Sequence, residues 1–74
     1  MNTENIYEIQ TRGRGNGFLL SGPNLGAEFF YVNLHDAVSR AIRSRPHQAG
    51  ALYLYKKSGE LIERMEWDRR GKLL

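Results

Sequence analysis

The stretch NLHDAVSRAIRSR, residues 33–45, decides the fold because its apolar residues recur with a helical period. They fall at i, i+3, i+4, i+7 and i+8, which places them on one stripe of a helix. They are Leu34, Ala37, Val38, Ala41 and Ile42. Asn33 is a favoured N-cap with Asp36 three positions later, and Pro46 ends the helix. Such a helix, roughly 20 Å long, covers one face of a small sheet and not both.

Five runs around this helix predict strands, since they are rich in apolar, β-branched and aromatic residues and are bounded by turn formers. They are residues 5–11, 18–20, 29–32, 51–57 and 60–67. The order β-β-β-α-β-β predicts a small two-layer α+β domain, with one helix packed on a mainly antiparallel sheet. We expect Leu34, Val38 and Ile42 to pack on one sheet face. The expected partners in the sheet are Ile9, Phe18, Leu20, Tyr31, Leu52, Leu54 and Trp67.

Ser58 and Gly59 predict a hairpin between the last two strands, and two registers fit this turn. A two-residue type I′ turn pairs Tyr53 with Arg64. A three-residue loop with a bulge at Gly59 shifts the pairing by one residue on one strand. In both registers Tyr53 and Tyr55 lie on one face of the sheet, and the leucines that alternate with them lie on the other.

The length of 74 residues predicts a single domain, near the lower size limit for folding without a disulfide or a metal. We expect an ordered core over residues 5–67, with 1–4 and 68–74 frayed. The chain has no cysteine, which excludes disulfides and favours a reducing compartment. The first residues lack the apolar segment of a signal peptide, and no apolar run approaches the roughly 20 residues of a membrane span. A cytoplasmic location is therefore expected, with no membrane contact.

Three short patterns across most of the chain are shared with a known family. They are an aromatic residue after a glycine at 17–18, the helix start at 33–37 and the closing hairpin at 54–63. By these patterns the chain resembles a family of short uncharacterised bacterial proteins, a domain of unknown function. The family's helix start is Thr-x-x-Glu-Ala and its hairpin carries Asp-Gly, so Asn33 and Ser58 are substitutions by physically similar residues. The resemblance supports the fold and implies no activity.

Two features invite a catalytic or cofactor interpretation. Glycines at alternate positions of 13–17 are spaced as in a phosphate-binding loop, but this loop leads into a strand instead of a helix, so a hairpin loop is expected. His35 lies beside Asp36, and His47 follows the helix, but no nucleophile accompanies them and two histidines without cysteine make a poor metal site. We therefore expect no enzyme, no cofactor, no metal site and no small-molecule substrate.

Eleven Lys and Arg against eight Asp and Glu give a formal charge of +3. This is an ordinary solubilising charge, and it also suits an acidic partner. Arginine contacts phosphate, and aromatic side chains on an open sheet stack single-stranded bases. The candidate contact residues for nucleic acid or a partner are Arg12, Arg14, Arg40, Arg43, Arg45, Tyr53 and Tyr55.

Phe30, Tyr53 and Tyr55 are aromatic residues in excess of what one helix can cover, and they also fit a protein interface. The sequence therefore predicts a non-enzymatic interaction module that self-associates, for example as a homodimer, or binds a protein partner through its sheet. The alternative is a nucleic-acid-binding module that uses the basic helix end and the aromatic sheet face.

Overall fold

A computed structural model describes residues 5–12, 17–44 and 48–74. These residues form one helix and five strands in the predicted order β-β-β-α-β-β, so the α+β class is confirmed. The elements are β1 (Ile6–Arg12), β2 (Gly17–Ser21), β3 (Phe29–Tyr31), α1 (Leu34–Ser44), β4 (Gly50–Tyr55) and β5 (Leu61–Trp67). No helix in this part of the chain is long and apolar enough to cross a membrane.

The strands form one sheet in the order β3-β2-β1-β4-β5. Neighbouring strands are antiparallel except β1 and β4, which run parallel with Tyr7 beside Leu52 and Ile9 beside Leu54. The sheet is therefore mixed. Parallel neighbours need a long crossover, and β2, β3 and α1 together supply it.

The core lies between α1 and one face of the sheet. Ile9 and Leu20 are completely buried, and Leu52 and Trp67 nearly so, as predicted. The other predicted partners (Phe18, Tyr31 and Leu54) are partly buried and pack against this cluster. Tyr7 is also completely buried, although the prediction did not include it.

Both ends of α1 are held by side chains. The Asp36 N–H donates to Asn33 Oδ1 at 2.9 Å, and Asn33 Nδ2 donates to Asp36 Oδ2 at 3.1 Å, which confirms the predicted cap. At the other end, the Ser44 carbonyl accepts a hydrogen bond from the Tyr7 hydroxyl at 2.8 Å. Asn24 Nδ2 donates to the same carbonyl at 3.5 Å. A buried tyrosine therefore ties the first strand to the end of the helix.

The residues at the centre of the contact between α1 and the sheet differ from the predicted ones. Ala37 and Ala41 are the buried residues of the helix, while Leu34, Val38 and Ile42 are half-buried. Small side chains at the point of contact let a helix approach a sheet closely, so the larger residues move to its flank. Leu34 and Val38 border an apolar groove together with residues of β4 and β5.

The closing hairpin has a three-residue loop. The Lys56 N–H donates to the Glu60 carbonyl at 2.7 Å, and the Gly59 N–H donates to the Lys56 carbonyl at 2.8 Å. Gly59 has a φ of 96°, which glycine adopts without steric cost. The turn is therefore the three-residue loop, which was the second of the two predicted alternatives.

Further from the turn, the hairpin returns to the register of the first alternative. Tyr55 pairs with Leu61, but Tyr53 pairs with Arg64, so Ile62 is an extra residue on β5. This β-bulge compensates for the odd loop length and bends the strand.

Residues 68–74 form a turn beside the outer edge of β5. The Asp68 carboxylate accepts hydrogen bonds from the N–H groups of Arg70 and Lys72, both at 2.9 Å. Leu73 then pairs with Trp67 in an isolated antiparallel bridge. Fraying of this segment stays a prediction, and residues 1–4 lie outside the described ranges.

Candidate interaction surface

The sheet face opposite α1, called the open face below, is defined by strand alternation. Tyr7 and Ile9 point to the helix, so the residues between and beside them point away from it. Pairing extends this face across the sheet. Its residues are Ile6, Glu8, Gln10 and Arg12 of β1, Gly17, Leu19 and Ser21 of β2, Phe30 of β3, Ala51, Tyr53 and Tyr55 of β4, and Leu61, Arg64 and Glu66 of β5.

Large apolar side chains lie exposed on or beside the open face. Ile6 is 40% exposed, Phe30 56% and Leu61 44%, and Ile62 at the bulge is 48% exposed. Ile6 lies on the central strand, and Phe30 and Leu61 lie on opposite edge strands, so exposed apolar groups are spread across the whole width of the face.

The Phe30 ring lies directly on Gly17 of the neighbouring strand. A Cβ on Gly17 would come within 1.9 Å of the ring atom Cζ, so a side chain there would displace the ring. An aromatic ring laid over a glycine on the next strand covers the backbone that the glycine leaves bare. Gly17 therefore sets where Phe30 lies on the open face.

Two tyrosines lie on β4, between the central strand β1 and the edge strand β5. The rings of Tyr53 and Tyr55 meet edge to face, with centroids 6.4 Å apart and planes at 75°. The Tyr55 hydroxyl donates to Glu8 Oε2 at 3.4 Å. Burial, and then the nearby carboxylate of Glu8, raises the pKa of the Tyr55 phenol. The Tyr55 hydroxyl thus stays a neutral hydrogen-bond donor over the physiological range.

Charges of both signs lie on this face. Arg64 Nε contacts Glu66 Oε2 at 3.3 Å on β5, and Arg12 lies on β1 two positions beyond Gln10. Gln10 Nε2 donates to the Lys56 carbonyl at 2.8 Å and so ties β1 to the loop after β4. The open face therefore carries polar and charged side chains on its central strand and exposed apolar ones on both edge strands, and it is not a uniformly basic surface.

The structure separates the seven predicted contact residues into groups. Arg12, Tyr53 and Tyr55 lie on the open face. Arg12 and Tyr55 border one shallow depression. Arg40 and Arg43 lie on α1, in the other layer of the domain. Arg14 and Arg45 lie outside the described residues, as do His47 and most of the predicted glycine loop.

Arg40 has a structural partner on the helix side. Its guanidinium lies 4.7 Å above the centroid of the Phe29 ring, and its Nε donates to Ser44 Oγ at 3.2 Å. A cation over an aromatic face is a stabilising contact in its own right. Of the described arginines of α1, Arg40 therefore lies in the helix layer, over Phe29, and not beside the tyrosines of the open face.

The list of predicted contact residues missed several apolar members of the open face. Ile6 and Leu61 follow from strand alternation once the pairing is known, and the aromatic composition of β3 already marked Phe30 as surplus. Ile62 owes its place to the bulge, which has no local signal in the sequence.

No protein-family model matches the chain, and neither a curated protein nor a solved structure matches it significantly. The resemblance to the family of short bacterial proteins therefore stays a prediction. Within the described ranges, no three side chains of His, Cys, Asp or Glu are grouped so that they could hold a metal ion.

Proposed function

We propose that this chain is a non-enzymatic interaction module that binds protein through its open face, either a second copy of itself or another protein. One observation carries the proposal. The face without a helix presents Ile6, Phe30 and Leu61 at 40% to 56% exposure. Burying such surface contributes roughly 25 cal/mol per Å². The proposal includes a cytoplasmic location, which the cysteine-free composition favours.

The arrangement of the face supports the same proposal. Protein interfaces combine an apolar, aromatic centre with a polar rim, and tyrosine is enriched at their energetic centres. Here Tyr53 and Tyr55 lie on β4, one strand in from the edge, while Arg64 and Glu66 lie on the edge strand β5. A partner that covered this face would bury the apolar groups and leave the charged pair near solvent.

The test is site-specific photo-cross-linking with a photoreactive phenylalanine analogue. Placed at Phe30, the analogue should give protein adducts, either with a second copy or with another protein of the host cell. Placed at the exposed Arg43 on α1, it serves as the matched control and should give far fewer. Equal yields at the two positions, or no protein adduct at Phe30, would contradict the proposal.

Nucleic-acid binding is the second candidate, because Arg12 and Tyr55 border one depression; the carboxylates of Glu8 and Glu28 also line it and would repel phosphate. An arginine beside an aromatic ring offers one phosphate contact and one stacking surface. The test is titration with single-stranded DNA and RNA at low and near-physiological salt. Loss of binding in Tyr55→Ala, with no loss in Arg40→Glu, would place the site on the open face. Absence of binding at low salt would exclude this candidate.

A further inference from the structure

One cross-strand row of the open face runs over all five strands. Pairing places five side chains level with one another, in the order Phe30, Leu19, Gln10, Tyr55 and Leu61. Four of the five are apolar or aromatic, and Phe30 and Leu61, on the edge strands, are 56% and 44% exposed. We call this set the apolar row. It forms a line of apolar groups across the sheet, with one amide at the middle strand.

Charges of opposite sign lie on the two sides of the apolar row. Glu8 is two positions before Gln10 on β1, and Arg12 is two positions after it, so both lie on the open face. Both residues are exposed, and neither forms an ion pair with another described residue. The central strand therefore carries an acid on one side of the apolar row and a base on the other.

The depression on the open face has an excess of negative charge. Glu8 and Glu28 line it together with Arg12 and Tyr55, and its volume is about 440 Å³. An apolar cavity of about 150 Å³ holds a benzene molecule, so this depression has room for a long side chain from another molecule. Two carboxylates against one guanidinium favour an incoming side chain with a positive charge.

We propose that the partner of the open face is a second copy of this chain, stacked face to face, with Arg12 of each copy against Glu8 of the other. This rests on the proposed function, since it identifies the partner of the same surface. A two-fold axis then runs between the two sheets, parallel to the apolar row. The rotation makes the two β1 strands antiparallel and lays one apolar row on the other.

Of the two axes that lie in the plane of the sheet, along and across the strands, only the second pairs opposite charges. An axis along β1 would place Glu8 against its own counterpart and Arg12 against its own, and both contacts would be repulsive. With the axis along the apolar row the two charges exchange places, so each copy supplies one acid and one base. Because Glu28 lines the same depression, the incoming guanidinium meets two carboxylates.

The open face has the size that a weak dimer needs. Five strands about 4.8 Å apart, each four to five residues long, give a face of roughly 25 by 15 Å. Two such faces, stacked about 10 Å apart, bury on the order of 1,000 Å². This area lies at the lower end of specific interfaces, so we expect a dimer that forms between micromolar and millimolar concentration.

The first experiment changes each of the two charges in a separate variant of the full chain and follows association by sedimentation equilibrium. The unmodified chain should dimerise. Glu8→Arg and Arg12→Glu each bring like charges together at two symmetric contacts, so each should weaken the dimer about tenfold or more. Mixed in equal amounts, the two variants should form a heterodimer, because both contacts then join opposite charges.

Glu63→Arg and Arg43→Glu are the matched controls. They make the same changes of charge on the helix side of the domain and should leave the dimer unchanged. Urea unfolding checks that every variant keeps the fold, as expected at exposed positions. A mixture that stays monomeric, or a dimer that neither Glu8→Arg nor Arg12→Glu weakens, would overturn the proposal.

A cross-link tests the direction of the axis. The chain has no cysteine, so Leu61→Cys provides a single thiol at one end of the apolar row. With the axis along the row, the two thiols face each other and a short bismaleimide should join them. With the axis along β1, they would lie at opposite edges of the stacked sheets. Arg43→Cys on α1 is the control and should give no cross-link. A dimer without a cross-link at Leu61→Cys would contradict the proposed arrangement.

Failure of the dimer is distinguishable from failure of the open face as a binding surface. A monomer at every concentration would exclude a second copy as the partner. Photo-adducts at Phe30 with another protein of the host cell would then leave the binding role of the open face in place. Absence of any protein adduct at Phe30 would contradict both.

Discussion

The helix side and the open face of the sheet share the same strands but differ in their exposure to water. Ile9 and Leu20 are completely buried on the helix side, whereas Leu19, next to Leu20 in the chain, is only half-buried on the open face. The backbone is common to both faces, so the difference comes from the layer that α1 supplies. An antiparallel or mixed sheet can leave one face without a helix when polar groups share it, as Glu8 and Gln10 do here.

This difference indicates a division of roles. Substitutions on the helix side remove contacts that stabilise the folded chain, and should change its free energy of unfolding. Substitutions on the open face remove groups that have little burial to lose, and should act mainly on association. Four sets of substitutions, in order of decreasing effect on the free energy of unfolding, test this division.

Two adjacent leucines provide the largest contrast. Leu20→Ala should lower the free energy of unfolding by about 3 kcal/mol, because it leaves a cavity in the core. Leu19→Ala should cost about 1 kcal/mol, since half of that side chain is already in contact with water. Urea unfolding followed by Trp67 fluorescence measures both. Equal losses would mean that the two faces do not differ in the way proposed.

Tyr7→Phe removes the link between β1 and the end of α1, and should cost about 1.5 kcal/mol because the Ser44 carbonyl loses its shorter hydrogen bond. Tyr55→Phe on the open face is the matched control, with a smaller expected cost, since its hydrogen bond to Glu8 is longer and more exposed.

The same two variants, Tyr7→Phe and Tyr55→Phe, test how the free energy of unfolding depends on pH. Burial raises the pKa of the Tyr7 phenol above its unfolded value, and the pKa of Tyr55 is raised as well. As the pH rises past about 10, the unfolded chain therefore releases these protons before the folded chain does. The contribution of the two phenols to the free energy of unfolding is fully present below that pH and is lost above it. Each Phe variant should flatten this fall, and the double variant should flatten it most. An unchanged slope, measured by denaturant unfolding between neutral and alkaline pH, would contradict the assignment.

Gly17→Ala tests the contact with Phe30 and should cost about 1 kcal/mol, because the new methyl group displaces an exposed ring. In a Phe30→Ala background the same change should be neutral or stabilising, since glycine in a strand is otherwise unfavourable. A double-mutant cycle on the free energy of unfolding gives the coupling. The absence of coupling would show that the ring does not lie on Gly17 in solution.

Asp68→Ala should have the smallest effect, about 0.5 kcal/mol, since the turn it holds lies outside the two-layer core. Hydrogen exchange should quicken at the N–H groups of Arg70 and Lys72 and stay unchanged at Ile9. Rapid exchange at these positions already in the unmodified chain would support the prediction that residues 68–74 fray.

Much of the local structure could be predicted because its causes lie within a few residues. The cap by Asn33, the apolar stripe of α1 and the order of elements all depend on short spacings. The closing hairpin contains one feature with a local cause and one without. The three-residue loop has a local cause in Gly59. The bulge at Ile62 is set by the pairing of β5 with β4 and has no local cause.

The candidate site was predictable only in part, for the same reason. Strand alternation places Tyr53 and Tyr55 together, and this needs one strand only. Whether Arg40 joins them depends on which face α1 covers, and the structure places it in the opposite layer, over Phe29.

By itself the sequence determined the helix and its cap, the five strands and the surplus of aromatic residues, because each follows from composition or from neighbours within a turn. Only the tertiary structure decided the strand order, the parallel pairing of β1 with β4 and the burial of Tyr7 against Ser44, 37 positions away. These features depend on contacts between distant segments. Their free energy comes from burying side chains of several elements at once, and no single stretch of sequence contains that information.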